Sequence, residues 1–208
     1  MPASDLVPAS ERDLYWEWVR AEIDVPEGSP RQSDRQRHGL PPRVVALLER
    51  GDRTALDEPD WDKIRRAFRT LRGRYLDPLL DSGTRWYYGR LSVAEFAEVS
   101  IPNLTISFVP LAPSRRFEQF VRALDAGGKT PKDTFYKVYR HMRPIFDPGR
   151  VRGCPVLIAE RVEGPYVLAE GATRSCILVS RRHHGEAVPR SFPVLVGVTS
   201  RAREWTWW

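Results

Sequence analysis

The stretch Tyr166-Val-Leu-Ala-Glu170-Gly171-Ala172-Thr173-Arg174-Ser175-Cys176-Ile177-Leu178-Val179 decides how this sequence is read. Tyr166 to Ala169 is an apolar run suited to a strand. Glu170-Gly171 interrupts it, and Thr173 or Ser175 can open a helix that carries Cys176, Ile177 and Leu178 inward. A strand that passes through glycine into a helix start makes an anion site. The first amides of such a helix lack carbonyl partners, glycine admits a ligand to the backbone, and Arg174 adds a planar fork of donors matched to phosphate oxygens. Glu170 then stands where a carboxylate can hold a metal or accept a proton. The same residues also fit a plain structural role, with Arg174 paired to Glu170 on a solvated face.

Working outward, Pro155-Val-Leu-Ile-Ala reads as a strand, Glu163-Gly164 as a hairpin turn and Phe192-Pro-Val-Leu-Val-Gly-Val as a last strand. Upstream, Leu104 to Leu111 is β-rich, Ser114 to Leu124 has helical spacing, and Gly127-Gly128 stops that helix. Phe135 to Met142 is expected as a helical turn, and Asp147-Pro-Gly149 as a loop.

The first hundred residues read differently. Ser10-Glu-Arg-Asp13 opens a helix whose apolar face holds Leu14, Tyr15, Trp18, Val19 and Ile23, ending before Pro26. The stretch 25–42 is rich in Pro, Gly, Ser and Arg and is expected as a mobile surface loop. Arg43 to Arg50 suits a short helix closed at Gly51. Asp60 is expected to cap a helix that turns Trp61, Ile64, Phe68 and Leu71 inward and stops at Gly73. Its outer face carries Lys63, Arg65, Arg66, Arg69 and Arg72. Tyr75 to Tyr88 reads as irregular, and Ser92 followed by Glu95 as a capping box.

Composition limits the classes. With 208 residues, 41% of them hydrophobic, the chain can bury a real core. The net charge of +6 comes from 33 basic and 27 acidic residues mixed along the sequence, which permits contact with phosphate without specifying nucleic acid. Cys154 and Cys176 show neither CxxC spacing nor adjacent histidines, so no zinc knuckle or disulfide framework is indicated and a reducing cytoplasm is expected. The sequence shows no leader-like start and no run of about 20 apolar residues.

From about residue 101 onward the chain resembles the ParB/sulfiredoxin-like superfamily. The residues that carry the likeness are Val109-Pro-Leu-Ala-Pro-Ser-Arg115-Arg116, Cys154-Pro-Val-Leu-Ile, Tyr166-Val-Leu-Ala-Glu170-Gly171-Ala172-Thr173-Arg174 and Pro193-Val-Leu-Val. The resemblance implies an α+β fold. A small mixed sheet with flanking helices would occupy 101–208, after a mainly helical extension at 1–100. It also implies that Gly171, Ala172, Thr173, Arg174 and Ser175 hold nucleotide phosphates, with Arg115 and Arg116 near the same pocket. Glu170 would be catalytic and able to bind Mg²⁺, and the nucleoside triphosphate would be ATP or CTP.

The departures narrow this. Sulfiredoxins place their reactive cysteine directly after the glycine, where this chain has Ala172, and Cys176 lies too far along for that role. Kinase-like members commonly carry histidines at the positions of Ala172 and Thr173. Chromosome-partitioning members continue into a helix-turn-helix domain, which is not expected here.

Two functions follow from the resemblance. The first is an NTP-dependent phosphotransferase or hydrolase acting on a small molecule, with Trp61, Trp86, Tyr87 and Tyr88 lining its pocket or serving only as core. The second is a CTP- or ATP-gated module that contacts DNA or a protein partner through basic helices. A homodimer is compatible with either, and a membrane partner is not expected. His183-His184 reads as a surface loop, Ser114 and Ser175 lack triad partners, and Gly127-Gly-Lys129-Thr130 reads as a helix stop, since a phosphate loop needs an upstream glycine and strand.

Overall fold

The structure is a computed structural model that describes residues 5–23, 39–80, 83–103, 109–128, 134–147, 149 and 152–205, with backbone alone at 71–75 and 134. Its centre is a mixed five-stranded sheet in the order β1-β2-β5-β3-β4. The strands are β1 (Val7–Ala9), β2 (Arg85–Leu91), β3 (Val156–Ala159), β4 (Val167–Glu170) and β5 (Phe192–Val198). β3 and β5 run parallel, and the other neighbours pair antiparallel.

Helices cover both faces, so the central strands are apolar on both sides. α4 (Val93–Ala97), α5 (Phe117–Asp125), α6 (Thr134–Met142) and α7 (Ala172–His183) share one core with Leu157, Leu168, Val194 and Val196. On the other face, α1 (Glu11–Ile23), α2 (Pro42–Arg50) and α3 (Glu58–Leu80) pack with Val156, Ile158, Val167 and Leu195. Phe68 of α3 is fully buried against Tyr15 and Trp18 of α1, with ring centroids 4.8 and 5.5 Å away. Such pairs contribute roughly 0.5–1.5 kcal/mol each beyond the area they bury.

β2 and β1 come from the first hundred residues, so those residues supply part of the sheet as well as helices. Strand alternation sorts the β2 aromatics. Trp86 and Tyr88 enter the α1/α3 core, whereas Tyr87 packs against the α4–α7 core. The four aromatics expected around one pocket therefore do not converge, and Trp61 and Trp86 are core residues. Trp86 also lies across its strand partner Gly197, where a Cβ would stand 2.7 Å from the indole.

Several elements differ from the reading of the sequence. α1 is buried nearly all round, including Asp13, Trp16, Glu17 and Glu22, because the sheet and α3 enclose it. Gly73 does not stop α3. Leu76 and Leu79 continue its buried stripe as far as Leu80, and β2 begins at Arg85, so most of the expected irregular region 75–88 is regular. Asp60 does not cap α3. Asp57 does so, accepting the Asp60 amide at 2.8 Å, while the buried Asp60 carboxylate pairs with Arg43 and Lys63. His183 is the last residue of α7 rather than part of a loop, with Nε2 3.4 Å from Glu118.

Other expectations hold. The Ser92–Glu95 capping box is complete, and Gly51 ends α2 at φ 73°. Trp205 packs into the α1/α3 core. The expected strand at 104–111 lies outside the described residues up to 108, and Val109 to Leu111 form a turn. Most of the expected loop 25–42, Lys129-Thr130 and Trp207 and Trp208 also lie outside the described residues. Among the described residues no helix is long and apolar enough to cross a membrane.

Two glycines separate backbone strain from packing. Gly153 (φ 69°) lies on α1, and a Cβ there would sit 2.3 Å from the Glu17 carbonyl oxygen; Gly127 (φ 86°) has open space around it. Gly127→Ala is expected to lose about 1 kcal/mol from conformation alone. Gly153→Ala should lose roughly 2 kcal/mol or more, because α1 must also move. Urea unfolding of both variants checks the difference.

Candidate functional site

β4 ends at Glu170, Gly171 takes φ 93°, and α7 starts at Ala172, earlier than the sequence suggested. The left-handed turn is open to glycine because a Cβ would lie 2.9 Å from Arg174 Nε and 3.0 Å from Pro155 Cα. No side chain caps α7, and its first turn holds no acidic residue. The Ser175 amide closes the first helical hydrogen bond to the Gly171 carbonyl at 3.0 Å. The amides of Ala172, Thr173 and Arg174 therefore precede any helical partner, and no acid within the first turn offsets the positive end of the helix.

Arg174 does not pair with Glu170. Its Nη1 donates to the carbonyls of Arg152 and Gly153 at 2.8 and 3.0 Å, and Nη2 to that of Cys154 at 3.2 Å. The side chain thus folds back over the glycine and holds the segment that leads into β3. Nε lies beside Gly171.

The same segment is held from α1. Glu17 Oε2 accepts the Cys154 amide at 3.0 Å, and Tyr88 Oη donates to Glu17 Oε1 at 2.9 Å. Tyr88 Oη also lies 3.2 Å from Asp13 Oδ1, and Asp13 is bound by Arg53 and by the amide and hydroxyl of Ser10. Burial, followed by the charges of Glu17 and Asp13, pushes the Tyr88 hydroxyl far above its ordinary value, so it remains a donor. Burial, reinforced by Glu17 and opposed by Arg174, likewise pushes the Cys154 thiol up. Cys154 is a buried core thiol.

The residues expected at the site are only partly brought together. Glu170, Ala172, Thr173 and Arg174 are half-buried around Gly171. Ser175 faces the interior at 0% exposure, its hydroxyl without a hydrogen-bond partner among the described residues, because the fourth position of the helix turns toward the core. Arg115, at φ 59°, donates from Nε and Nη2 to the Ile101 carbonyl, and Arg116 lies 3.8 Å from Glu98. Both arginines precede α5, whose entry is tied through Ser100 to the start of β4 at Tyr166 and Val167. Gly171 stands at the other end of that strand, roughly 13 Å along at about 3.3 Å per residue. Among the described residues Arg116 makes no hydrogen bond or ion pair with residues 170–175.

Glu17, Arg53 and the carbonyls of 152–154 were not singled out in the sequence, Asp13 was read only as part of a helix start, and Tyr88 only as a pocket or core aromatic. One signal was available: Asp13 and Glu17 stand four residues apart among Leu14, Trp16 and Trp18, which places both acids on one side of the helix beside large apolar residues. Among the described residues no group of three or more His, Cys, Asp or Glu is arranged to hold a metal.

No protein-family model matches the chain, and neither the curated proteins nor the solved structures give a match.

Arg174→Ala is expected to lower stability by roughly 2–4 kcal/mol, since three charge-assisted bonds to a half-buried segment disappear together. Arg174→Lys should recover less than half of this, because an ammonium cannot span three carbonyls as a planar fork does. Denaturant midpoints test both. Asp13 gives a pH dependence. Burial alone would raise its carboxyl, but Arg53 and Ser10 outweigh burial and hold it below the ordinary value. A depressed folded-state pKa contributes stability that is present above the unfolded value near 3.9 and lost as pH falls through the folded one. Wild type should lose stability below about pH 4, and Asp13→Asn should be less stable at neutral pH with a flatter acid limb, read by melting temperature from pH 3 to pH 6.

Proposed function

We propose that this chain binds a nucleoside triphosphate, ATP or CTP, by its phosphates at the start of α7 and transfers or hydrolyses the terminal phosphoryl group, in the manner of a ParB/sulfiredoxin-like protein. The observation that carries the reading is the uncapped, acid-free first turn of α7, entered through a left-handed glycine with Arg174 Nε beside it. Three amides without helical partners and one guanidinium edge are donors of the kind phosphate oxygens accept.

The residues present fit a magnesium ion in one respect. Glu170 offers a single half-buried carboxylate, which suits an ion held mostly by phosphate oxygens and water rather than by a protein cage. When bound, such an ion would supply neutralising charge on the phosphates. The chain's own residues do the remaining work. The amides of 172–174 fix the phosphates, and Arg174 spreads positive charge over them. Glu170 accepts the proton of the attacking water or hydroxyl as its oxygen bonds to the terminal phosphorus and the bond to the bridging oxygen breaks, leaving the nucleoside diphosphate.

Because Arg174 also supports the fold, Ala172→Asp is the sharper probe. An aspartate in the first turn favours the helix and opposes phosphates. It should weaken binding of the accepted triphosphate, measured by calorimetry with Mg²⁺, by roughly tenfold while leaving the melting temperature equal or higher. Glu170→Gln should bind the nucleotide and not turn it over. Equal affinity in wild type and Ala172→Asp, or no binding of ATP, CTP or GTP, overturns the assignment.

A further inference from the structure

Helix α3 presents a second charged feature that the α7 site does not use. Its inner side is Trp61, Ile64, Ala67 and Phe68, and its outer side exposes Asp62, Arg65, Arg66, Arg69 and Thr70. The acids of this helix do little to neutralise that outer side. Asp60 is buried with Arg43 and Lys63, and Asp62 is engaged by Arg65 at 2.8 Å. Arg66 bonds only the backbone carbonyl of Asp62, at 3.3 Å, and Arg69 has no hydrogen bond or ion pair among the described residues. Arg66 and Arg69 stand at i and i+3, and Arg65 and Arg69 at i and i+4. Such like charges repel at Cβ separations of about 5–6 Å. The sequence of the helix continues with Arg72 and Arg74.

Arg66 and Arg69, which no acid pairs among the described residues, destabilise an isolated helix by repulsion and are complementary to a repeated anion. We propose that the outer side of α3 docks, without sequence preference, on the phosphate backbone of a nucleic-acid duplex. A lipid surface fits less well. The large exposed apolar side chains among the described residues are Val7 and Ile145, and neither lies on α3 to enter a bilayer. Single strands fit less well too, since Trp61 and Phe68 are buried and none of the exposed residues described at 62–70 is an aromatic that could stack bases. Arginines that reach phosphates alone give affinity and register without reading bases. The proposal rests on the arginine face and is independent of the α7 site.

The test is fluorescence anisotropy with the full chain and labelled duplexes of about 20 base pairs in two unrelated sequences, between about 50 and 200 mM salt. Wild type should bind both duplexes alike, with affinity falling linearly on a log–log salt plot. Arg66→Gln/Arg69→Gln alters exposed side chains only, so it should fold as wild type does, checked by its melting curve. It should lose about 1.8 from the salt slope and bind roughly tenfold more weakly. Arg190→Gln, an exposed arginine outside α3, should leave binding unchanged. No salt-dependent binding by wild type, an unchanged slope in the double variant, or tighter binding to a single strand or to phosphatidylserine vesicles than to the duplex overturns the proposal.

Discussion

The segment Arg152 to Cys154 is gripped from two sides, and much of the fold is referenced to it. Glu17 of α1 takes the Cys154 amide, while Arg174 of α7 takes the carbonyls of all three residues. Gly153 lets the backbone lie directly on α1. This grip sets where β3 begins. β3 sits between β5 and β4, with Val156 and Ile158 in one core and Leu157 in the other. A slip of one residue would exchange those faces, so fixing 152–154 fixes the register of the sheet's centre.

The grip also explains why an acidic pair is buried on α1. A carboxylate inside a protein is unfavourable unless its oxygens are supplied with donors. Asp13 and Glu17 receive them from Ser10, Arg53, Tyr88 and Cys154, which belong to four separate parts of the chain. The network is directional where the surrounding aromatic packing is not. Tyr15, Trp18 and Phe68 tolerate small shifts, whereas hydrogen bonds to a buried carboxylate do not.

Arg174 therefore has two relations at once. Its Nη atoms belong to the fold, and its Nε lies beside Gly171, which precedes α7. An anion held at the amides of 172–174 would touch the same guanidinium that orders the entry to β3, and through it would be linked to Glu17 and α1. The outer arginines of α3 have no such entanglement. They project from a helix whose inner face alone makes the core.

Local order was largely legible in the sequence. The apolar runs at 156–159, 167–170 and 192–198, the glycine turn at 171, the Ser92–Glu95 box and the Gly51 stop are set by side-chain shape and by backbone freedom within a few residues. The continuation of α3 past Gly73 was missed because a single glycine weakens a helix by only about 1 kcal/mol, less than burial of Leu76 and Leu79 returns. The strand at 85–91 was missed because its aromatics serve opposite faces and show no one-sided pattern.

By itself the sequence determined the strands at 156–159, 167–170 and 192–198, the short helix closed at Gly51 and which loop places glycine before an arginine. Only the tertiary structure decided that β1 and β2 complete the same sheet as β3 to β5. It also decided that Ser175 turns inward, that Arg115 and Arg116 stand at the far end of β4, and that Arg174 bonds carbonyls rather than Glu170. Hydrogen-bond partners of long polar side chains depend on what distant chain segments bring within about 3 Å, and spacing along the sequence does not carry that information.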